Sequence, residues 1–219
     1  MIHDVKLGIN EIDEFWSFVK KKQKNVTEKF FSDFEQGDAY SYLSIKRESG
    51  LFVAFSVGKW IQETCNELYK KIAERTQQPT YYNKLNFCTD GNKQNENAIL
   101  EFFNKDCINY GQVIKDKENQ IVYGIHKRKV LGNLNYDKIR INNVDGLCSK
   151  LRARVGCFVR GTRNFAKKRK QICNLLHITQ TNHNFIEAKN GVTSGMKEGL
   201  TNKVLSWNDI FNVRLSIKI

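Results

Sequence analysis

Flexible linkers, membrane spans and secretion signals are all missing from this sequence. Its 219 residues include one proline and 14 glycines, which argues against long linkers and for one folded unit. The longest apolar runs, such as residues 51–55, are far too short to span a membrane. The first residues show no basic stretch followed by an apolar run, so no signal peptide is expected. These absences predict a cytoplasmic protein.

Paired metal-binding cysteines are missing as well. The six cysteines are scattered, and no two of them form the C-x-x-C pair that zinc sites ordinarily use. The four histidines show neither ligand spacing nor a partner motif. We therefore expect reduced, mostly buried thiols, no zinc site, and histidines that pack or lie on the surface.

Positive charge is abundant, and it is unevenly placed. Of the net charge of +13, residues 1–110 carry −1 and residues 111–219 carry +14. Between His126 and Lys170, 14 basic side chains stand against two acidic ones. A solvated lysine-rich face is the simpler explanation for Lys20–Lys22. For the block from 126 to 170 we expect binding to nucleic acid, because counterion release drives association with a phosphate backbone.

Hydrophobic patterning predicts an alternation of strands and helices, with a polar insertion near residues 20–38 and no internal repeat. Strands are predicted at Ile9–Val19, Ala39–Ile45, Leu51–Val57, Tyr82–Cys88 and Ile121–Lys127. Helices are predicted at Trp60–Arg75, Asn95–Phe103, Val144–Val159 and Ala166–His177. Three strands followed by alternating helices and strands predict an RNase H-like (ribonuclease H/integrase) α/β fold, a mixed central sheet with helices on both faces.

Three aspartates lie at positions where a function could explain a charged side chain. Asp13 lies within an otherwise apolar and aromatic strand, and Asp90 ends another strand just before a glycine. Asp145 opens a predicted helix whose polar face also carries Ser149 and Arg152. Each aspartate also has an ordinary explanation. Asp13 suits a surface position at a strand end, Asp90 an Asp-Gly turn, and Asp145 a helix cap.

Together the three carboxylates suggest a catalytic metal site. Mg²⁺ and Mn²⁺ prefer oxygen ligands, and two such ions about 3.5–4 Å apart stabilise the attacking and leaving oxygens of an in-line displacement. Attack by water would cut a phosphodiester, whereas attack by a DNA 3′-OH would join strands. We therefore expect Asp13, Asp90 and Asp145 to be catalytic and metal-binding, with two Mg²⁺ or Mn²⁺ ions as cofactors.

Four sequence blocks follow one another from about Ile9 to Phe211. They are NEIDEFWSFVKKKQ, CTDG, VDGLCSKLR with CFVRGTRNFAKK, and VTSGMKEGLTNKVLSWNDI. In this order they resemble blocks of insertion-sequence transposases with a DDE catalytic domain, in the group of insertion sequence one and its archaeal and bacterial relatives. By this resemblance Asp13 and Asp90 match the first and second catalytic aspartates, and Asp145 takes the place of the family's glutamate. The resemblance implies a catalytic domain over residues 1–186 and a family tail over 187–219, packed on the domain or following it.

DNA is the expected partner of the basic block. The residues expected to bind it are Arg152, Arg154, Arg160, Arg163, Lys167, Lys168, Arg169 and Lys170. Arg152, Arg160 and Lys167 match the family's basic pattern, as do Thr162 and Phe165. The resemblance further implies contacts with element ends and target DNA, self-association in a transposition complex, and no membrane partner. An upstream zinc-finger and helix-turn-helix module for end recognition is expected from another reading frame, unless it has been lost.

Departures from the family pattern leave three functions open. Aspartate replaces glutamate at 145, residues 146–149 lack the family's polar run, and Ser194 stands where proline is usual. These changes suit either an active enzyme with three aspartates or a catalytically inactive remnant that only binds DNA. A third possibility is an RNase H-like nuclease or resolvase that hydrolyses without joining strands, although the tail block favours a transposase.

Overall fold

A computed structural model describes residues 2–27, 35–119, 121–159, 161 and 163–212 of the chain. Within them, a six-stranded mixed sheet carries helices on both faces. The strands are β1 (Ile9–Val19), β2 (Gly37–Lys46), β3 (Phe52–Gly58), β4 (Leu85–Asp90), β5 (Ile108–Glu118) and β6 (Ile121–Leu131). The helices are α1 (Gln62–Arg75), α2 (Lys93–Phe102), α3 (Asn142–Arg154), α4 (Arg169–Thr181), α5 (Ser194–Lys197) and α6 (Trp207–Phe211). The α/β class predicted from the sequence is confirmed.

The strand order across the sheet is β3-β2-β1-β4-β5-β6. Strands β1, β2 and β3 pair antiparallel, β1, β4 and β5 pair parallel, and β6 returns antiparallel to β5. Because β1, β4 and β5 are parallel, their carboxyl ends point towards the same end of the sheet. In such sheets binding and catalytic sites form at this end.

Apolar layers cover the two faces of the sheet. On one face α1 and α2 contribute Leu68, Ile72 and Ile99 to a core that also contains Phe87 of β4. On the other face α3 and α4 pack against the sheet through buried apolar side chains, among them Leu151 of α3. Strand β3 is buried along its whole length because both layers cover it. Apolar layers therefore cover both faces of the sheet around its central strands.

Most predicted elements are present, with three informative differences. The segment predicted as the fifth strand is the start of β6, and β5 itself was not predicted, since its sequence ends in charged residues instead of an apolar run. The helix predicted over Val144–Val159 ends at Arg154 and is followed by a 3₁₀ turn. The last long helix begins at Arg169 and not at Ala166, because Ala166 pairs as an extended residue with Val19.

The C-terminal tail packs on the sheet through a buried ion pair. Lys46 Nζ at the end of β2 lies 2.8 Å from Glu198 Oε1, and the two side chains are 5% and 3% exposed. The Leu205 N–H donates to the carbonyl of Phe185. Ser194 occupies the first position of α5, which proline also favours, so the departure from the family pattern is compatible with this helix. No helix in the described part of the chain has the length and apolar content needed to cross a membrane.

Candidate metal centre

The register between β1 and β4 creates a notch at the end of β4. The two strands pair in parallel from Ile9 beside Asn86 to Ile12 beside Thr89. Asp13 and Asp90 are the next residue of each strand, and β4 ends there. Strand β1 continues to Val19 with β2 as its partner. The end of β4 therefore leaves open space beside the middle of β1, and both aspartates border it.

Three carboxylates meet in this notch. Asp13, Glu14 and Asp90 each offer an oxygen, and the three oxygens lie within 4.8 Å of one another. The sequence predicted two of these residues and missed Glu14. Consecutive strand residues point to opposite faces, so a neighbour of Asp13 is expected to point away from it. Because β4 stops here, carboxylates from both faces of β1 can reach the same space.

Neighbouring polar groups orient two of the three acids. Glu14 Oε1 accepts hydrogen bonds from Trp60 Nε1 at 3.3 Å and from Asn92 Nδ2 at 3.4 Å. Asp90 Oδ1 accepts from the Asn92 N–H at 3.1 Å and from Asn95 Nδ2 at 3.4 Å. Asn92 also caps the start of α2. The start of α2, together with Trp60 before α1, thus supplies the hydrogen bonds that hold this side of the centre.

The electrostatics of the notch oppose three negative charges. Burial, and after it the charges of Glu14, Asp90 and Asp145 in that order, together raise the pKa of Asp13 to about 8. Burial and then the charge of Asp90 raise the pKa of Glu14 to about 7, against the lowering effect of its hydrogen bonds. Buried carboxylates in such proximity are stabilised either by protons or by a cation.

The donor set fits a hard divalent cation. All three groups are carboxylates, which Mg²⁺ and Mn²⁺ prefer over nitrogen or sulfur ligands. Glu14 Oε2 is buried and has no hydrogen-bond partner among the described residues. A buried carboxylate oxygen without a partner costs free energy that a bound cation would offset. Asp13, Glu14 and Asp90 can therefore hold a metal ion.

Asp145 lies beside this group without belonging to it. The residue is half-buried in the first turn of α3, and its charge contributes to the raised pKa of Asp13. Asp145 does not cap the helix, since the N-cap position is Ile141. The structure therefore brings Asp13 and Asp90 together, adds Glu14, and sets Asp145 within electrostatic range of Asp13.

A buried acid of β1 anchors the helix that carries Asp145. Glu11 Oε2 accepts from the N–H groups of Asn143 at 2.7 Å and Val144 at 3.3 Å. Its Oε1 accepts from Arg47 Nε at 2.5 Å. The guanidinium of Arg47 also donates to the carbonyls of two residues just before α3, Lys138 and Arg140. Glu11, two residues from Asp13, thus links the start of α3 directly to the strand of the metal centre.

The predicted DNA-binding residues are mostly at the surface of the α3 and α4 side. Exposed members of the set are Arg154, Arg163, Lys167, Lys168 and Lys170. Arg154 donates to Glu187 at 3.0 Å, and Arg169 lies 3.7 Å from Glu35. The Arg152 guanidinium lies 5.6 Å over the ring of Phe15, and its buried Nε has no hydrogen-bond partner in the described structure. Arg160 lies outside the described residues.

The basic surface and the metal centre are thus built by different elements of one fold. The carboxylates come from β1 and β4, whereas the basic side chains come from α3, α4 and the segment between them. Comparison of the chain with protein-family models and with curated proteins returns no match.

Proposed function

We propose that this chain is the catalytic domain of a DNA transposase that uses Mg²⁺ or Mn²⁺ to cleave DNA and join strands. The observation that carries the proposal is the group of three carboxylates at the end of β4, with a buried Glu14 oxygen that lacks a partner. The four sequence blocks that resemble insertion-sequence transposases support the same function. On this proposal the partners are element ends, target DNA and further copies of the chain.

The topology supports an RNase H-like fold. Such a fold is expected to have three antiparallel strands, then two parallel strands on the far side of β1, and helices on both faces. The order β3-β2-β1-β4-β5 agrees with that expectation, and β6 extends the sheet by one strand. Asp90 also lies at the carboxyl end of a parallel strand, which is the position for catalysis in sheets of this kind.

Each acid has a distinct role in the proposed reaction. Asp13 and Asp90 would hold the cation from adjacent strands, and Glu14 would supply its buried oxygen from the other face of β1. A divalent cation held there supplies charge stabilisation to the phosphate and lowers the pKa of the attacking hydroxyl. Asp145 approaches from α3, where its carboxylate adds negative charge on the side of Asp13. The exposed lysines before α4 hold the DNA backbone in reach of these groups.

A strand-transfer assay tests this function. The chain is incubated with a supercoiled plasmid and a labelled duplex that ends in a 3′-OH, in Mg²⁺, Mn²⁺ or EDTA. We expect metal-dependent nicking and joined product, and a loss of about 100-fold or more in D13N and D90N, because both remove a metal ligand. The matched control D106N changes an exposed aspartate and should act like wild type. Nicking without joined product would instead favour the RNase H-like nuclease.

Two further variants test Asp145 in the same assay. D145N removes the charge and should lose activity, whereas D145E restores the family's residue and should keep or raise it. A purely structural role of Asp145 in the first turn of α3 predicts wild-type cleavage by D145N, with at most a small fall in melting temperature from the lost interaction with the helix dipole. Wild-type activity in D13N and D90N would contradict the catalytic proposal and leave only DNA binding.

A further inference from the structure

The β5–β6 hairpin extends beyond the metal centre. Strand β4 ends at Asp90, which pairs with Val113, and β5 continues for five more residues to Glu118. Strand β6 returns antiparallel from Ile121. At a rise of about 3.3 Å per residue, the hairpin projects roughly 16 Å past the end of β4. A duplex placed on the carboxylates would lie alongside this projecting part.

The projecting part of β6 is unusually apolar for an exposed strand. Ile121, Val122, Tyr123 and Ile125 are 71%, 43%, 72% and 63% exposed. Clustered apolar side chains at the surface of a soluble protein indicate a binding partner. The other edge strand, β3, is by contrast buried throughout. The two edge strands therefore differ, and only β6 presents a run of exposed apolar side chains.

The base of the hairpin is basic. Three consecutive cations, Lys127, Arg128 and Lys129, follow the apolar residues along β6. Arg128 donates to Gln112 Oε1 at 2.6 Å and 3.1 Å, which fixes its guanidinium against β5. Lys129 Nζ lies 4.8 Å over the ring of Tyr136. The hairpin thus presents apolar side chains at its tip and positive charge close to the sheet.

We propose that the β5–β6 hairpin binds the substrate DNA next to the cleaved phosphodiester, with its cations on phosphates and its apolar tip against unpaired bases. This inference rests on the proposed function. A two-stranded ribbon fits the major groove, and apolar or aromatic side chains pack on base faces once the bases unstack. The substrate favoured by this site is a duplex that is opened at the cleavage position.

A second copy of the chain fits the hairpin less well. Two β6 edges paired antiparallel about their basic segment would place the cations of residues 127–129 opposite those of the partner copy, which destabilises such a pair. The register shift between Asp116 and Lys117 also interrupts the regular ladder near the tip. Irregular edges of this kind hinder strand addition. Charge complementarity therefore favours DNA.

Binding in Ca²⁺, which does not support cleavage in the proposed reaction, tests the hairpin apart from catalysis. The probes are a fully paired duplex and the same duplex with a short mismatched bubble that contains 2-aminopurine. The double variant Tyr123→Ser, Ile125→Ser should bind the bubble at least about tenfold more weakly and lose the 2-aminopurine fluorescence increase. Its affinity for the paired duplex should change less than about threefold, since the cations remain.

The control variant is Tyr81→Ser, Tyr82→Ser. These tyrosines are 64% and 96% exposed and precede β4, at the end away from the carboxylates. The control should bind both probes like wild type. If the hairpin variant bound the bubble as tightly as wild type, the proposal would be overturned. It would also be overturned if wild type formed a dimer that the hairpin variant did not form, while both bound DNA equally. Failure of the catalytic proposal is separate, because it appears as undiminished cleavage by D13N while the binding results stand.

Discussion

At the scale of single residues, the metal centre depends on where β4 stops. Asp13 and Glu14 are neighbours in β1, yet both of their carboxylates approach Asp90 because β4 ends one residue beyond its last pair with β1. A β4 that continued further would occupy the space into which these side chains point. At the same position, the buried Glu14 Oε2 has no hydrogen-bond partner among the described residues. The strand end therefore both creates the site and makes it costly.

We predict that the burial of these carboxylates makes the stability of the metal-free protein depend on pH. The pKa of Asp13 is raised to about 8 and that of Glu14 to about 7, so the folded state binds protons more tightly than the unfolded chain. The stabilising effect is complete below the unfolded pKa values, near pH 4, and is lost as the pH rises through about 7 and 8. D13N removes the penalty and should exceed wild type by about 1–3 kcal/mol near pH 8.5, with little difference near pH 5.

Urea denaturation in EDTA at the two pH values measures this difference. Mg²⁺ should then increase the stability of wild type at the higher pH and leave the stability of D13N nearly unchanged. The variant has lost one metal ligand, and it also lacks the charge repulsion that a bound cation would relieve. Equal stability of wild type and D13N near pH 8.5 would mean that Asp13 is not held at an electrostatic cost.

At the scale of elements, helix α3 is positioned by a strand residue and not by a cap of its own. The N-cap residue Ile141 offers no side-chain hydrogen bond, and Glu11 of β1 satisfies two N–H groups of the first turn instead. The favourable placement of a carboxylate at a helix N-terminus adds to this bond. Arg47 then holds both Glu11 and the segment before the helix. Asp145 consequently keeps a defined position relative to β1.

We predict that Glu11→Ala destabilises the protein by about 3–5 kcal/mol, because it leaves the Arg47 guanidinium buried without its ionic partner. Glu11→Gln keeps an acceptor oxygen and should cost less. The control is Glu67→Ala, which breaks the exposed pair with Lys71 and should cost less than about 1 kcal/mol. Chemical denaturation of the three variants makes the comparison. A loss in Glu11→Ala no larger than in Glu67→Ala would show that the buried pair does not hold the helix.

The two edge strands of the sheet, β3 and β6, differ in how far other residues cover their backbone. Side-chain amides cover β3: Asn184 accepts from the Phe52 N–H at 2.8 Å and donates to its carbonyl at 2.9 Å. Gln180 Nε2 donates to the carbonyls of Phe52 and Val53 at 2.9 Å and 3.2 Å. These bonds imitate a further strand and block strand addition at this edge. The opposite edge is the largely exposed β6, which remains available to a partner.

How far the sequence predicts the structure varies from element to element. Strand β1 was predicted with its observed bounds because it is rich in β-branched and aromatic residues. The clustering of Asp13 with Asp90 was predicted because both were expected to bind the same metal ions, and the structure brings the two together. Glu14 was missed because alternation places it on the opposite face. Glu11 was missed because its partners on α3 lie 132 and 133 residues away, a separation that no local pattern reveals.

At the scale of the whole molecule, charge is divided between a nearly neutral first half and a strongly basic second half. The exposed cations near α4 belong to the second half, and the three carboxylates of the metal centre belong to the first. The basic surface would therefore hold a polyanion close to the three carboxylates, which would repel it if the basic surface were absent. A bound cation would also reduce that repulsion.

We predict that DNA affinity falls steeply with added salt and depends little on sequence. Neutralising Arg160, Lys167 and Lys168 together to Ala should weaken binding to all sequences alike and lower the slope of log affinity against log salt by about 3. The control neutralises Lys6, Lys70 and Lys105, which are exposed lysines of the first half. Fluorescence anisotropy over a salt series measures both slopes. Equal slopes, or protection of one specific terminal repeat by the chain alone, would contradict this prediction.

The ion pair between Lys46 and Glu198 has a consequence for the timing of synthesis. The two residues are 152 positions apart, so at about 5–20 residues per second Lys46 emerges from the ribosome roughly 8–30 s before its partner. Until then the end of β2 can enter the interior only with an uncompensated charge. If β1, β2 and β3 packed completely as soon as they were synthesised, Lys46 would be buried without its partner until Glu198 emerged. The end of β2 is therefore expected to become buried in the nascent chain only after Glu198 has emerged.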